Sequence, residues 1–175
     1  MIKKNESKKF VSINIGILPI SDTRSPNNDK SGELLYKKIT NFGHNVTYRK
    51  IIKDDVPTIK KTIIEASNNE NIDAIISTGG TGLTGRDSTP EAVKAVAQKI
   101  IEGFGELFRQ LSYDSIGTST IQSRAVGAIV NNKYIFSLPG STNACRDAWD
   151  KILQYQLDIR HQPCNFIEII PRLSE

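Results

Sequence analysis

Short runs of β-branched and aliphatic residues alternate along this chain with segments whose apolar residues recur at helical spacing. The runs Phe10–Ile20, Asn45–Ile52 and Asp73–Ser77 are predicted strands, because each is short, apolar and followed by turn-forming or polar residues. Strands separated by helices form a mostly parallel sheet that is covered by helices on both faces. The pattern therefore predicts an α/β fold, in which ligands bind at the carboxyl ends of the strands.

The predicted helices are marked by the residues at their ends. The first has its apolar face at Leu34, Leu35, Ile39 and Phe42 and is expected to end at Gly43. Later helices are expected to begin at polar capping residues, which occur at Asp54–Asp55, at Ser88–Thr89–Pro90–Glu91 and at Ser141.

The second half of the chain departs from strict alternation. Arg124–Val130 and Lys133–Leu138 predict a pair of strands that turns at Asn131–Asn132. Glu102–Leu111 is helical in pattern, but its glycines predict a break, and the residues from Pro163 onward are expected to be extended.

The composition of the chain limits the classes of protein to which it can belong. The chain has 175 residues, 38% of them hydrophobic and 24% charged, which is typical of one globular domain. We expect a single domain over residues 10–175 after a flexible basic tail over residues 1–9. No apolar run reaches the ~18 residues of a membrane span and no signal-peptide pattern is present, so a cytoplasmic protein without membrane contact is expected.

The two cysteines and two histidines are too few and too scattered for a zinc site or a disulfide scaffold. Cys145 is expected to be a buried small hydrophobe rather than a nucleophile. The net charge of +4 leaves three interpretations: a nucleic-acid binder, a site for phosphorylated anions, or a solvated basic surface. Four of the lysines lie in the predicted tail, and no basic motif with interleaved aromatic residues occurs, so no nucleic-acid partner is expected.

Each predicted strand is followed by residues that can contact a ligand. These are Ser21–Asp22–Thr23, Asp54–Asp55, Gly79–Gly80–Thr81–Gly82 with Thr84, Arg86 and Asp87, and Pro139–Gly140–Ser141–Thr142. We expect several of them to converge on one crevice, where amides, hydroxyls, a guanidinium and carboxylates suit a phosphorylated ligand with a divalent metal.

The glycine loop matches GxGxxG over residues 80–85 but lacks the context of a dinucleotide site. In a dinucleotide site the helix begins directly after the glycine loop, but here it is predicted to begin only near Pro90. The acidic residues about 20 residues further on lie in a segment of helical pattern rather than at the end of a strand. No GxxxxGK[ST] loop occurs. Two interpretations remain: a loop whose backbone approaches an anion, or a plain strand–helix turn.

The acidic residues also have two interpretations. Asp54, Asp55 and Asp87 could cap helices, or could hold Mg²⁺ between phosphates. Arg86 is either a phosphate clamp or a surface charge, and Ser141 is a helix cap that also offers an anion site.

Several of these segments resemble one known family. Thr78–Glu91 closely resembles the molybdopterin-binding signature of the molybdenum cofactor biosynthesis proteins. Other segments that match this family are Ser21–Thr23 with Asp29–Gly32, Gly103–Arg109, Ile116–Ser119, Ser123–Ala125 and Leu138–Ser141. The last helix and Arg160–Phe166 look like the B-protein branch, MoaB, of this MoaB/MogA-type family.

The resemblance implies a three-layer α/β/α molybdopterin-binding domain that forms homotrimers or homohexamers. It implies Mg²⁺- and ATP-dependent adenylylation of molybdopterin, with a non-catalytic molybdopterin carrier as the alternative. By position it implies that Asp54 and Asp87 are catalytic and hold Mg²⁺ through the phosphates. The substrate-binding residues that it implies are Ser21, Asp22, Thr23, Gly79, Gly80, Thr81, Gly82, Arg86, Ser119, Pro139, Gly140 and Ser141.

Overall fold

The computed structural model describes residues 3–175, and strands and helices alternate along most of that range. The strands are β1 (Lys3–Lys4), β2 (Asn14–Pro19), β3 (Asn45–Arg49), β4 (Ala74–Thr78), β5 (Lys99–Ile101), β6 (Val126–Val130), β7 (Lys133–Leu138) and β8 (His161–Gln162). The α-helices are α1 (Lys30–Phe42), α2 (Val56–Ser67), α3 (Thr89–Val96), α4 (Glu102–Ile116), α5 (Thr142–Ala148), α6 (Gln154–Gln156) and α7 (Phe166–Ile169). A π-helical turn, Trp149–Leu153, joins α5 to α6.

Six strands form the main sheet in the order β3-β2-β4-β7-β6-β5. The four strands from β3 to β7 are parallel, whereas β6 runs antiparallel to both β7 and β5. The predicted hairpin is confirmed, and its turn residues Asn131 and Asn132 have φ values of 48° and 59°, as the tight turn between two such strands requires.

Helices cover both faces of the sheet. On one face, Leu35 and Ile39 of α1 pack with Phe104 and Phe108 of α4 and with Trp149. On the other, α2 and α3 bury Ile59, Ile63, Ala92 and Val93 against the sheet. The predicted α/β/α fold is confirmed. None of the helices within residues 3–175 is long and apolar enough to cross a membrane.

Two helix boundaries follow the sequence signals closely. Asp29 caps α1 by accepting a hydrogen bond from the Gly32 amide, and the helix ends at Gly43 in the left-handed conformation. Asp55 caps α2 through the Thr58 amide at 2.8 Å. Apolar patterning alone overestimates strand length, since the first two main strands are shorter than Phe10–Ile20 and Asn45–Ile52.

The predicted break in α4 is wrong, because the helix runs unbroken from Glu102 to Ile116. Gly105 has a packing reason to be glycine: a Cβ built there would lie 2.6 Å from the Ala125 carbonyl oxygen. The glycine thus lets α4 approach the start of β6 closely.

Both chain ends also differ from expectation. The tail was predicted to be flexible, but over residues 3–9 it is anchored to the rest of the fold. Strand β1 pairs antiparallel with β8, and Lys4 forms an ion pair with buried Asp158. Residues 1–2 of the predicted tail lie outside the described residues. After Pro163 the chain is helical rather than extended, because Asn165 caps α7 and Ile167 is buried. The assignment of residues 10–175 to one domain stays a prediction.

Candidate active site

A cleft of about 990 Å³ opens at the carboxyl ends of the parallel strands. Its walls are the loops that follow β2, β3, β4 and β7, together with the end of α4 and the first turns of α5. Every site residue that the family resemblance implies lines it: Ser21, Asp22, Thr23, Asp54, Gly79, Gly80, Thr81, Gly82, Arg86, Asp87, Ser119, Pro139, Gly140 and Ser141. Asp55, Thr84 and Thr142, which also follow predicted strands, do not line it.

Sheet pairing brings these loops together. The Gly79 amide donates to the Leu138 carbonyl at 3.0 Å, and the Thr78 hydroxyl donates to the Pro139 carbonyl at 3.0 Å. On the other side of β4, the Ile20 amide donates to the Thr78 carbonyl at 2.9 Å. The loops after β2, β4 and β7 therefore leave the sheet side by side.

Asp54 is half-buried and is held by a residue from a different loop. Its Oδ1 accepts hydrogen bonds from the Ser88 amide at 3.2 Å and the Ser88 hydroxyl at 2.9 Å. Burial raises the pKa of Asp54, the bonds from Ser88 oppose that rise, and the negative charges of Asp87 and Asp22 add to it. A cation placed here would relieve this repulsion.

Ser88 differs in detail from the expected helix cap. It occupies the capping position of α3, but its side chain makes no capping hydrogen bond to the helix. The hydroxyl instead donates to Asp54, so a residue that begins a helix also positions a carboxylate.

Gly80 leaves room for the second oxygen of Asp54. A Cβ on Gly80 would lie 2.5 Å from Asp54 Oδ2, and Gly80 has a φ of +63°. A side chain here would be strained and would displace the carboxylate, so this glycine is required by the cleft as well as by the turn.

Asp87 is held within its own loop. Its Oδ2 accepts hydrogen bonds from the Thr84 amide at 2.9 Å and the Thr84 hydroxyl at 2.5 Å. The hydroxyl bond is the main reason that the pKa of Asp87 is lowered, with further contributions from the Thr84 and Gly82 amides and the charge of Arg124. These hydrogen bonds therefore favour the ionised form of Asp87.

Arg86 extends from the tip of the same loop with 76% of its side chain exposed. Its guanidinium forms an ion pair with Asp22 across the mouth of the cleft. Asp22 Oδ1 in turn lies 3.4 Å from the Asp54 amide. Arg86 thus lies at the cleft mouth, paired with a carboxylate of the neighbouring loop, and its role as a phosphate clamp stays a prediction.

The loop after β2 is ordered by its own serine. Ser21 Oγ accepts hydrogen bonds from the Thr23 and Arg24 amides, both at 3.2 Å. The Arg24 side chain then donates to the Ser31 hydroxyl and to the Gly140 carbonyl, both at 2.6 Å. Sequence reasoning missed Arg24 as a cleft residue, although its place directly after Ser21–Asp22–Thr23 was a signal.

The far wall of the cleft was also missed in large part. It includes Phe108, Ser112, Ser115, Ile116, Gln122, Ser123, Asn143, Ala144, Arg146 and Asp147. These side chains come from α4, the 3-10 segment Gly117–Gln122 and α5, whose packing no local pattern specifies. Ser141 caps α5 through the Ala144 amide at 3.1 Å, which confirms its expected capping role.

The glycine loop and Cys145 each had two interpretations from the sequence. The helix after the glycine loop begins at Thr89, well beyond Gly82, which argues against a dinucleotide site. Cys145 is buried beside the Thr78 hydroxyl, which confirms the expected buried position, and burial raises the pKa of its thiol to about 11.

The carboxylates fit a magnesium ion that is bound partly by its substrate. Within residues 3–175 no group of three or more His, Cys, Asp or Glu side chains could hold a metal by itself. Mg²⁺ typically takes one or two carboxylates together with substrate phosphates. Asp54 and Asp87 line one cleft, and two carboxylates together with substrate phosphates would match that donor set.

Comparisons with known proteins agree with this fold. Residues 16–159 match the family described as a probable molybdopterin binding domain. Molybdenum cofactor biosynthesis protein B of Escherichia coli (strain K12) is 42% identical over 160 residues, covering 91% of this chain and 94% of the relative. A crystal structure of molybdenum cofactor biosynthesis protein B has a TM-score of 0.86 at 39% identity, covering 95% of this chain and 99% of that chain. The tungsten cofactor synthesizing protein MoaB from Pyrococcus furiosus has a TM-score of 0.78 at 30% identity, over 94% and 98% of the two chains.

Proposed function

The chain belongs to the molybdopterin-binding domain family of molybdenum cofactor biosynthesis proteins, and from that premise we propose that it is a molybdopterin adenylyltransferase. The terminal phosphate oxygen of molybdopterin attacks the α-phosphorus of ATP. The bond between that phosphorus and the bridging oxygen to the β-phosphate breaks. AMP-linked molybdopterin forms and pyrophosphate leaves with the electron pair of the broken bond.

One observation carries the proposal: Asp54 and Asp87 line the same cleft as the glycine loop Gly79–Gly82. Phosphoryl-type transfer depends mainly on placement and on neutralising negative charge. Mg²⁺, held by Asp54, Asp87 and the phosphates, would supply that neutralisation when bound. The glycine loop approaches the phosphates through its backbone, since its residues carry little side chain to exclude them.

The remaining residues orient the two substrates. Arg86 can exchange Asp22 for a phosphate, because its guanidinium is exposed at the mouth of the cleft. Ser119 and Ser141 present hydroxyls on the opposite wall, and Pro139–Gly140 shape its floor. The reaction is proposed to take place in the cytoplasm.

The experiment is an adenylylation assay with molybdopterin, ATP and Mg²⁺, read as AMP-linked pterin and pyrophosphate. Asp87→Asn is expected to lower the rate about 10²–10³-fold, because the amide keeps the shape but loses the charge. Asp55→Asn is the matched control: Asp55 neighbours Asp54 but caps α2, and Asn caps helices equally well. Wild-type protein that is folded and yields no product would overturn the proposal.

A non-catalytic molybdopterin carrier is the second candidate. It would use the same cleft, whose glycine loop and hydroxyl side chains can bind a phosphate without a metal. A carrier would bind molybdopterin tightly without consuming ATP, and Asp54→Asn would barely change that affinity. Calorimetric titration with molybdopterin, alongside the assay, separates the two functions.

We further propose a homotrimer or homohexamer. Exposed apolar side chains are grouped at the end of α4 and in the 3-10 segment, where Tyr113, Ile116 and Ile121 are 57%, 53% and 81% exposed. A soluble monomer rarely carries such a group without a partner. Light scattering measures the mass, and Ile121→Asp is expected to dissociate the assembly if this surface is the interface.

A further inference from the structure

The loop that carries Asp87 is held from behind by one arginine. Arg124 lies just before β6 and does not line the cleft. Its Nε donates to the Gly82 carbonyl at 2.7 Å and its Nη2 donates to the Asp87 carbonyl at 2.8 Å. One edge of a planar guanidinium thus joins the first and last residues of the loop Gly82–Asp87.

Two further contacts of Arg124 hold residues on either side of this loop. The Arg124 amide donates to the Thr81 carbonyl at 3.2 Å, and Nη1 forms an ion pair with Glu91 in the first turn of α3. The segment from Thr81 to Glu91 is therefore tied to the start of β6 at both its ends. Each of the three guanidinium nitrogens has a partner on this one segment.

The loop has few other attachments. Leu83, Thr84, Gly85 and Arg86 are all exposed, and the contacts of Thr84 with Asp87 lie inside the loop itself. Arg86 also pairs with Asp22 of the loop after β2, but its side chain is 76% exposed, and exposed ion pairs hold a segment only weakly. Hydrogen bonds inside a loop fix its shape but not its position relative to the cleft. That position is set by what holds the ends of the loop, and Arg124 contacts both ends.

We propose that Arg124 is a positioning residue that fixes the loop Gly82–Asp87 against the cleft and so places the Asp87 carboxylate and the Arg86 guanidinium for the reaction. Its effect on turnover rests on the proposed adenylyltransferase function, whereas its effect on the loop does not. Lysine cannot replace it, because a single ammonium does not span two carbonyls as a guanidinium edge does.

A second cavity, of about 220 Å³, lies behind the loop and supplies a matched control. Both Arg124 and Arg109 line it. Arg109 makes one long contact, 3.4 Å from Nη1 to the Ala125 carbonyl, and none to the loop. Arg124→Lys and Arg109→Lys therefore make the same chemical change in the same cavity, with and without loss of the loop contacts.

The test compares these two variants by amide hydrogen exchange and by kinetics. Arg124→Lys is expected to raise exchange over residues 82–88 about tenfold or more, with the thermal midpoint and exchange in β4 and β7 unchanged. It is expected to lower kcat about 10–100-fold while the KM for ATP changes less than about threefold, because a misplaced group costs rate rather than affinity. Arg109→Lys is expected to match the wild type in both measurements.

A chemical rescue distinguishes positioning from general packing. Arg124→Ala should recover part of its kcat when N-ethylguanidinium is added, and Arg109→Ala should show no response. Arg124→Gln is a second variant in case the lysine variant does not fold, since it keeps a planar donor on a shorter stem.

The possible outcomes separate the two proposals. Unchanged exchange over residues 82–88 in Arg124→Lys, or increased exchange across the whole sheet, would overturn the role of Arg124. Absence of adenylylation in the wild type would overturn the proposed function alone, because the exchange measurement would still decide whether Arg124 holds the loop.

Discussion

The two carboxylates of the cleft are held in different ways. Asp54 follows β3 and depends on Ser88, a residue 34 positions away in the chain, for its hydrogen bonds. Asp87 follows β4 and depends on Thr84, three residues earlier in the same loop. Burial raises the pKa of Asp54, whereas the Thr84 hydroxyl lowers that of Asp87.

This difference shows which carboxylate is the more easily disturbed. A carboxylate held by its own loop keeps its local shape even when neighbouring elements shift. A carboxylate held across two loops keeps its position only while both loops stay in place. We therefore expect changes around Asp54 to have larger effects on activity than equivalent changes around Asp87.

The largest effect is expected from Gly80→Ala. The added methyl would lie 2.5 Å from Asp54 Oδ2 at a φ of +63°, so either the carboxylate or the loop must move. We expect kcat/KM to fall about 10²-fold or more. Gly85→Ala is the control in the Asp87 loop, where an added Cβ meets nothing within 4 Å, and it should stay within about twofold of the wild type. Equal activity of the two variants would contradict the proposed role of Asp54.

An intermediate effect is expected on the pH dependence. Under the proposed function the ionised carboxylate is the form that would hold Mg²⁺, so activity should fall with decreasing pH through the raised pKa of Asp54 before Asp87 is protonated. Ser88→Ala removes a hydrogen bond that lowers the pKa of Asp54 and should move this acid limb to higher pH by about one unit. Rates measured from pH 4 to 8 test this, and an acid limb that stays in place would contradict it.

The smallest effect is expected from Thr84→Val. The variant removes the hydroxyl that contacts Asp87 but leaves the Thr84 and Gly82 amides as donors. The pKa of Asp87 should rise, yet the acid limb should stay where Asp54 sets it, and the rate at neutral pH should change less than about threefold. Thr84→Ser, which keeps the hydroxyl, should be indistinguishable from the wild type. A shift of the limb in Thr84→Val alone would show that Asp87 controls the pH dependence.

Much of the fold could be predicted because its signals are local. Asp55 begins α2, Gly43 ends α1 and Asn131–Asn132 turn the hairpin, each through contacts within a few residues. The convergence of the cleft residues was also predictable, since the carboxyl ends of parallel strands share one edge of the sheet.

The remainder depends on contacts between distant segments. The helical pattern around Gly105 gave no sign that the Ala125 carbonyl, just before β6, approaches it, so a break was expected where the helix is continuous. The Ser88 hydroxyl contacts Asp54 rather than its own helix, which no capping rule specifies. The C-terminal helix forms because Ile167 finds a buried position on a core built by other elements.

The strand order has a consequence for when the cleft can first exist. Thr78 and Pro139, whose loops form adjacent walls, are 61 residues apart in the chain. A growing chain that has passed Asp87 already holds both carboxylates, but it lacks the wall that β7 brings when it enters the sheet between β4 and β6. The complete cleft can therefore form only after β7 has entered the sheet. A bound ligand would stabilise the finished chain and no shorter intermediate.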